Sequence, residues 1–252
     1  MDLNADLGEG FGSWRMGDDD ALLTVVTSAN VACGFHAGDP STMRRTVESA
    51  VERGVTIGAH VSYPDLRGFG RRDIDLPLSQ VTDDVLYQIG ALDAFARAAG
   101  SAVAYVKPHG ALYNRIAKDA EAAGAVVAAL KMYDRPLPLL TLPGSAAAET
   151  AEQAGLQAVA EGFADRAYHV DGQLVSRQEP GAVISGERAV ADRALRMARD
   201  GVVTTTDGQE LTLRIDSLCV HGDSPGAVSL ARAVHHALTS AGISVGAFAA
   251  RR

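Results

Sequence analysis

Seven times along this chain a short apolar run gives way to a segment of helical periodicity. These runs are residues 2–6, where Leu3 and Ala5 alternate with Asn4 and Asp6, then 29–33, 55–59, 102–106, 137–142, 157–162 and 215–220. The helical segments are 18–26, 41–53, 79–99, 119–132, 146–154, 187–200 and 225–241, several of them stopped by a glycine such as Gly54 or Gly155. Strands separated by helices pair in parallel, because the helix carries the chain back across the sheet before the next strand begins. With right-handed crossovers, two arrangements remain: a closed (β/α)7 barrel or an open doubly wound sheet. We expect the first, an α/β fold in which residues 1–252 form one irregular, TIM-like (β/α)7 barrel domain. Asp171-Gly172 and Asp207-Gly208 each sit between β-prone runs and read as tight turns, so hairpin excursions are expected near 168–175 and 202–213.

Composition narrows what such a barrel does. The 252 residues are 47% hydrophobic, enough for one large buried core. The net charge of -8 argues against nucleic acid or an anionic membrane as partner. Cys33 and Cys219 both lie in apolar runs and read as buried thiols. No apolar run approaches the roughly 20 residues that span a bilayer. Met1-Asp2-Leu3-Asn4 shows neither a basic nor an apolar leader region, so a cytoplasmic protein is expected.

The chemistry lies just past the strands. Ser28 to Pro40 runs from an apolar strand through Gly34 and His36 to Asp39-Pro40, an N-cap with a first-turn proline. One histidine is thereby placed beyond the carboxyl end of a strand, where barrels hold their functional groups. The other strands repeat the pattern, and together they offer Asn4, Asp6, His36, His60, Lys107, His109, Asp165, Arg166, His221 and Asp223. Each alone is an ordinary loop residue or helix cap; their recurrence at one rim predicts a shared site. His235-His236 lies mid-helix and suits packing or solvent, and His169 falls in a hairpin.

An aspartate with two histidines, Asp6 with His36 and His60, would hold a divalent metal that activates water. Lys107 and His109 flank Pro108, a pair suited to an oxyanion and a moving proton, with Asp6 or Asp223 as base. Spacing does not choose between these. His-Glu-x-x-His, Cys-x-x-Cys, Walker A and dinucleotide fingerprints are all absent, and the glycine loop Gly8 to Gly12 reads as a flexible loop beside the site.

Seven segments resemble the LamB/YcsF family in order: Asp2 to Gly10, Ser28 to Pro40, Gly58 to His60, Gly68 to Arg72, Val106 to Asn114, Phe163 to Tyr168 and Val220 to Asp223. The chain departs from the expected pattern at His60-Val61-Ser62-Tyr63-Pro64, keeping the histidine. The resemblance implies a barrel of the glycoside hydrolase and deacetylase type. It implies 5-oxoprolinase activity: ATP-dependent opening of 5-oxo-L-proline to L-glutamate by an A subunit working with subunits B and C. ATP would be a co-substrate, with Mg as its divalent ion. Asp6, Lys107 and His109 would be catalytic. Asn4, His36, His60, Asp165, His221 and Asp223 would contact substrate, and Arg71 or Arg166 would pair with its carboxylate. The alternatives are a metal-dependent amide or N-acetyl hydrolase and a non-catalytic substrate-binding subunit. The oligomeric state is left open, a homo-oligomer included.

Overall fold

The computed structural model describes residues 1–177, 179–220 and 226–249. Its centre is a closed barrel of seven parallel strands: β1 (Asp2–Leu7), β2 (Ser28–Ala32), β3 (Thr56–Val61), β4 (Tyr105–Pro108), β5 (Leu139–Thr141), β6 (Ala158–Phe163) and β9 (Ser217–Val220). Closure comes from β9, which pairs with β1 on one side (Asn4 opposite Cys219) and with β6 on the other (Glu161 opposite Ser217). The expected closed barrel is therefore the fold, and the open sheet is not. A further antiparallel pair, β7 (Val202–Thr204) and β8 (Glu210–Thr212), lies outside the barrel before β9. The segment after β6 also folds back on itself, with Tyr168 bridged to Leu174, and Thr206 N donates to Tyr168 O across the two excursions (3.0 Å).

Helices α1 (Asp19–Leu22), α2 (Pro40–Arg53), α3 (Leu78–Ala98), α4 (Gly110–Ile116), α5 (Ala120–Met132), α6 (Ala146–Gln153), α7 (Glu187–Asp200) and α8 (Ala227–Ser240) cover the outside. Local chemistry sets their ends. Asp39 caps α2 by accepting from Ser41 N (2.9 Å) and Thr42 N (3.1 Å), and Gly54 closes it in the left-handed conformation. Such a cap contributes about 1 kcal/mol. Met43, Val47 and Ala50 then face the sheet. Helix α4 is not among the helical segments expected from the sequence. Its apolar residues Ala111, Leu112 and Ile116 recur at helical spacing, but the segment is short and opens on a glycine.

The strands alternate by period two. In β1, Leu3, Ala5 and Leu7 join the outer apolar core, while Asp2, Asn4 and Asp6 turn into the lumen. That lumen is polar, unlike the layers of branched aliphatics that usually fill a barrel. At its lower end Asp2 accepts from Thr27 Oγ1 (2.5 Å), Ser28 Oγ (2.7 Å) and Ser217 Oγ. Above it Asn4 donates to Ser217 (2.7 Å), and Asn30 donates to Asn4 (2.7 Å) and Asp6 (2.8 Å). Tyr105 donates to Asn30 Oδ1 at 2.6 Å. Its ring fits because residue 58 is glycine: a Cβ there would lie 2.2 Å from the ring carbons. Phe248 packs on the same ring, 4.9 Å between centroids. Buried polar groups are tolerable when paired, and this stack pairs them up to the carboxyl ends of the strands.

Candidate functional site

At the carboxyl ends of the strands a cavity of about 410 Å³ opens, with Asp6, Glu9, His60, Lys107 and His109 in its wall. Lys107 comes from β4 with its ammonium held in the barrel. Nζ lies 3.0 Å from Asp6 Oδ1, 2.8 Å from Glu161 Oε1, 3.1 Å from Cys219 Sγ and 5.3 Å from the Phe163 ring centroid. Burial opposes the charge, but Asp6 and the other partners outweigh it and hold Lys107 protonated, its pKa well above the usual lysine value. Burial pushes the Cys219 thiol and the Tyr113 phenol up, so both stay neutral.

Beside Lys107, three imidazoles pack on one another. The rings of His36 and His109 stack 3.9 Å apart, 8° from parallel, and His60 meets both edge-on. His60 Nε2 lies 2.9 Å from His109 Nδ1 and 3.4 Å from Asp6 Oδ1. Glu9 Oε1 is 3.3 Å from His36 Nε2 and 3.7 Å from His109 Nδ1. Burial, reinforced by the neighbouring histidines, pushes His36 and His109 well below the usual imidazole value. The Gly68 to Arg72 turn is laid against this cluster. Gly70, at φ 63°, lets the backbone approach so closely that a Cβ there would lie 2.8 Å from His109 Cδ2 and 2.9 Å from His36 Cβ.

The structure brings Asp6, His36, His60, Lys107 and His109 into one buried assembly, although they lie far apart along the chain. The cavity wall also includes Arg71 and Arg166. The Arg71 guanidinium stands 4.9 Å over the Phe69 ring, whereas Arg72 turns away to pair with Asp65. Arg166 donates to the carbonyls of Val175 (2.5 Å) and Ala182 (3.4 Å). Burial, with Arg177 nearby, lowers its pKa to about 10, Asp165 partly offsetting this. Asn4, His36 and Asp165 are buried behind the wall. In that position Asn4 supports Lys107 from below, accepting from its Nζ (3.4 Å). His221 and Asp223 lie outside the described residues. His169, from the hairpin, reaches the cavity wall.

Two members escaped sequence reasoning. Glu161 sits inside β6, and its only signal is a charge in the run Ala158-Val159-Ala160-Glu161-Gly162-Phe163 at an inward position. Glu9 belongs to the glycine loop read as flexible. In the structure Gly8, Glu9 and Gly10 are buried and pinned: Asp19 Oδ2 accepts from Gly8 N (3.0 Å), Asp39 Oδ2 from Gly12 N (2.9 Å), and Gly10 O from Gly38 N (2.9 Å). Among the described residues, the set able to hold a metal comprises Glu9, His36, His60 and His109, whose ligand atoms lie within 4.8 Å of one another. Asp6 faces Lys107 and Asn30 instead.

Comparison with known proteins places this geometry among relatives. The model of the LamB/YcsF family matches residues 1–252. The A subunit of a 5-oxoprolinase from Streptomyces avermitilis is 59% identical over 249 residues, covering 99% of this chain and all of the relative. Its counterpart from Mycobacterium avium is 58% identical over 248 residues, 98% of both chains. The crystal structure of a lactam utilization protein from Thermus thermophilus superposes with a TM-score of 0.94 at 48% identity, covering 98% of this chain and 99% of the other.

Proposed function

Because this chain belongs to the LamB/YcsF family, we propose that it takes part in the ATP-dependent hydrolytic opening of 5-oxo-L-proline to L-glutamate, as the A subunit of a cytoplasmic 5-oxoprolinase assembled with subunits B and C. The names of the full-length relatives support this reading. So does one structural observation above all: the Lys107 Nζ, flanked by the Asp6 and Glu161 carboxylates, in the wall of a cavity that also presents Arg71 and Arg166.

A five-membered lactam is a resonance-stabilised amide, and its carbonyl carbon is a poor electrophile. Transfer of the ATP γ-phosphoryl group to the lactam oxygen makes that carbon reactive. Water then adds to it and the ring C–N bond breaks, the nitrogen taking a proton; a second water releases phosphate and leaves the glutamate side-chain carboxylate. Lys107 is the cation for the oxygen on which negative charge gathers. Its charge is already in place, so no proton has to arrive first. Arg71 or Arg166 fits the substrate carboxylate. Asp6, beside His60, orients the attacking water. Both ring nitrogens of His109 are engaged, one by Phe69 O (2.9 Å) and one by His60. We therefore assign the oxyanion to Lys107 alone and keep His109 with His60 and Glu9 on the water's side. Mg accompanies ATP as its counter-ion.

The test is reconstitution. This chain combined with candidate B and C subunits should release glutamate and ADP together from 5-oxoproline and ATP, and omission of any component should stop both. Glutamate release without ATP would contradict the proposal.

A further inference from the structure

The three imidazoles share one arrangement: the far nitrogen of each is held by a carbonyl or hydroxyl, and the near one turns toward Glu9. His60 Nδ1 faces the carbonyl of Lys107 (3.0 Å) and therefore carries its proton there. His109 Nε2 faces the carbonyl of Phe69 (2.9 Å) and carries its proton there. The Ser62 hydroxyl donates to Tyr63 O (3.0 Å), so at 2.9 Å His36 Nδ1 must be the donor to Ser62 Oγ. Each ring thus has its far nitrogen held by a carbonyl or hydroxyl and turns its second nitrogen inward. Those second nitrogens, His36 Nε2, His60 Nε2 and His109 Nδ1, converge with Glu9 Oε1. Neighbouring pairs lie 2.9, 3.3 and 3.7 Å apart. Four such atoms, gathered from four separate segments and buried together, could all direct a lone pair at one cation between them.

We propose that Glu9, His36, His60 and His109 bind one divalent transition-metal ion of the zinc class. Three imidazoles and a carboxylate suit zinc, cobalt or nickel, whereas magnesium and calcium want oxygen ligands. The observed pair distances bracket the spacing of adjacent ligands around an ion held at about 2.0–2.1 Å. Outer contacts are in place as well: each ring's far nitrogen is held by a carbonyl or hydroxyl, the usual means of fixing ligand tautomers. Gln88 secures Ser62 in turn, accepting from its N (2.9 Å) and donating to its O (2.9 Å). The near-parallel rings of His36 and His109 must splay to bring both lone pairs onto one ion. Such a metal supplies acidified water on the side where Asp6 and His60 meet the cavity.

Binding is read without turnover, so failure here leaves the proposed reaction standing. The full chain, stripped with a chelator, is titrated with Zn²⁺ by calorimetry and with Co²⁺ by visible absorption. One equivalent should bind per chain, Co²⁺ should show visible d–d bands, and about a hundredfold excess of Mg²⁺ should not compete. Glu9→Gln and His109→Asn should each weaken Zn²⁺ at least about 100-fold, and Ser62→Ala about 10–100-fold, as loss of an outer partner does. His236→Ala, on the exposed face of α8, should change nothing. Far-UV dichroism checks each fold. Ser62→Ala removes only a hydroxyl and keeps the test decisive if a ligand variant fails to fold. Binding below roughly a tenth of an equivalent in the unaltered chain would overturn the proposal and leave a proton shared between His60 and His109. Undiminished affinity in Glu9→Gln and Ser62→Ala would overturn it by placing the metal elsewhere.

Discussion

The Lys107 ammonium lies 2.8 Å from the Glu161 carboxylate, with both side chains almost wholly buried and β5 between their strands. With Asp6 on its other side, the lysine is held charged by two anions that water hardly screens. Glu161→Gln keeps the shape and removes one of those anions. Burial then weighs more heavily, so the lysine pKa falls. In the reconstituted complex, kcat should drop about 10–100-fold, with the alkaline limb of the pH–rate profile moved to lower pH. A uniform loss at every pH would mean that Glu161 serves only the fold.

Asp19 holds the Gly8 amide and, through it, the loop that presents Glu9. Burial pushes its carboxyl up from 3.8 to about 6. Its native state thus binds a proton more readily than the unfolded chain. The resulting stability is full below pH 3.8 and is lost as pH rises through about 6. The ionised form costs about 3 kcal/mol at neutral pH. Asp19→Asn should therefore stabilise the chain by up to that amount at pH 7.5 and little at pH 4, as measured by urea unfolding at the two values. An equal effect at both would contradict this assignment.

Gly70 lies where any side chain strikes the imidazole cluster, and its φ of 63° is costly for other residues. Gly70→Ala should destabilise by about 1–3 kcal/mol in chemical unfolding. It should also impair turnover more than an alanine at Gly124, in whose surroundings a Cβ meets nothing within 4 Å.

Much of this site is legible in the sequence, for a geometrical reason. A residue that ends a parallel strand goes to the barrel mouth whatever its neighbours, so Asp6, His60, Lys107 and His109 could be assembled from strand ends alone. His36 follows the same rule one loop further on. Glu161 is different: it lies within its strand, and only the inward register, which closure of β6 on β9 sets, brings it under Lys107. Glu9 was hidden by its glycines, which suggest mobility until the hydrogen bonds that Gly8 and Gly12 donate to Asp19 and Asp39 are seen. The polar lumen from Asp2 to Tyr105 was hidden for a third reason. Alternation marks Asn4 and Asn30 as facing one side, but not whether that side is water or a barrel interior.

The central claim is that a lysine already charged before substrate arrives is the cation of the reaction. Its most direct test is coupled glutamate and ADP release by the reconstituted complex containing Lys107→Ala, after dichroism has shown the barrel intact. The account predicts a loss of turnover of about 100–1000-fold, the usual consequence of removing one oxyanion donor. A folded variant that turns over within about twofold of the unaltered complex would contradict it.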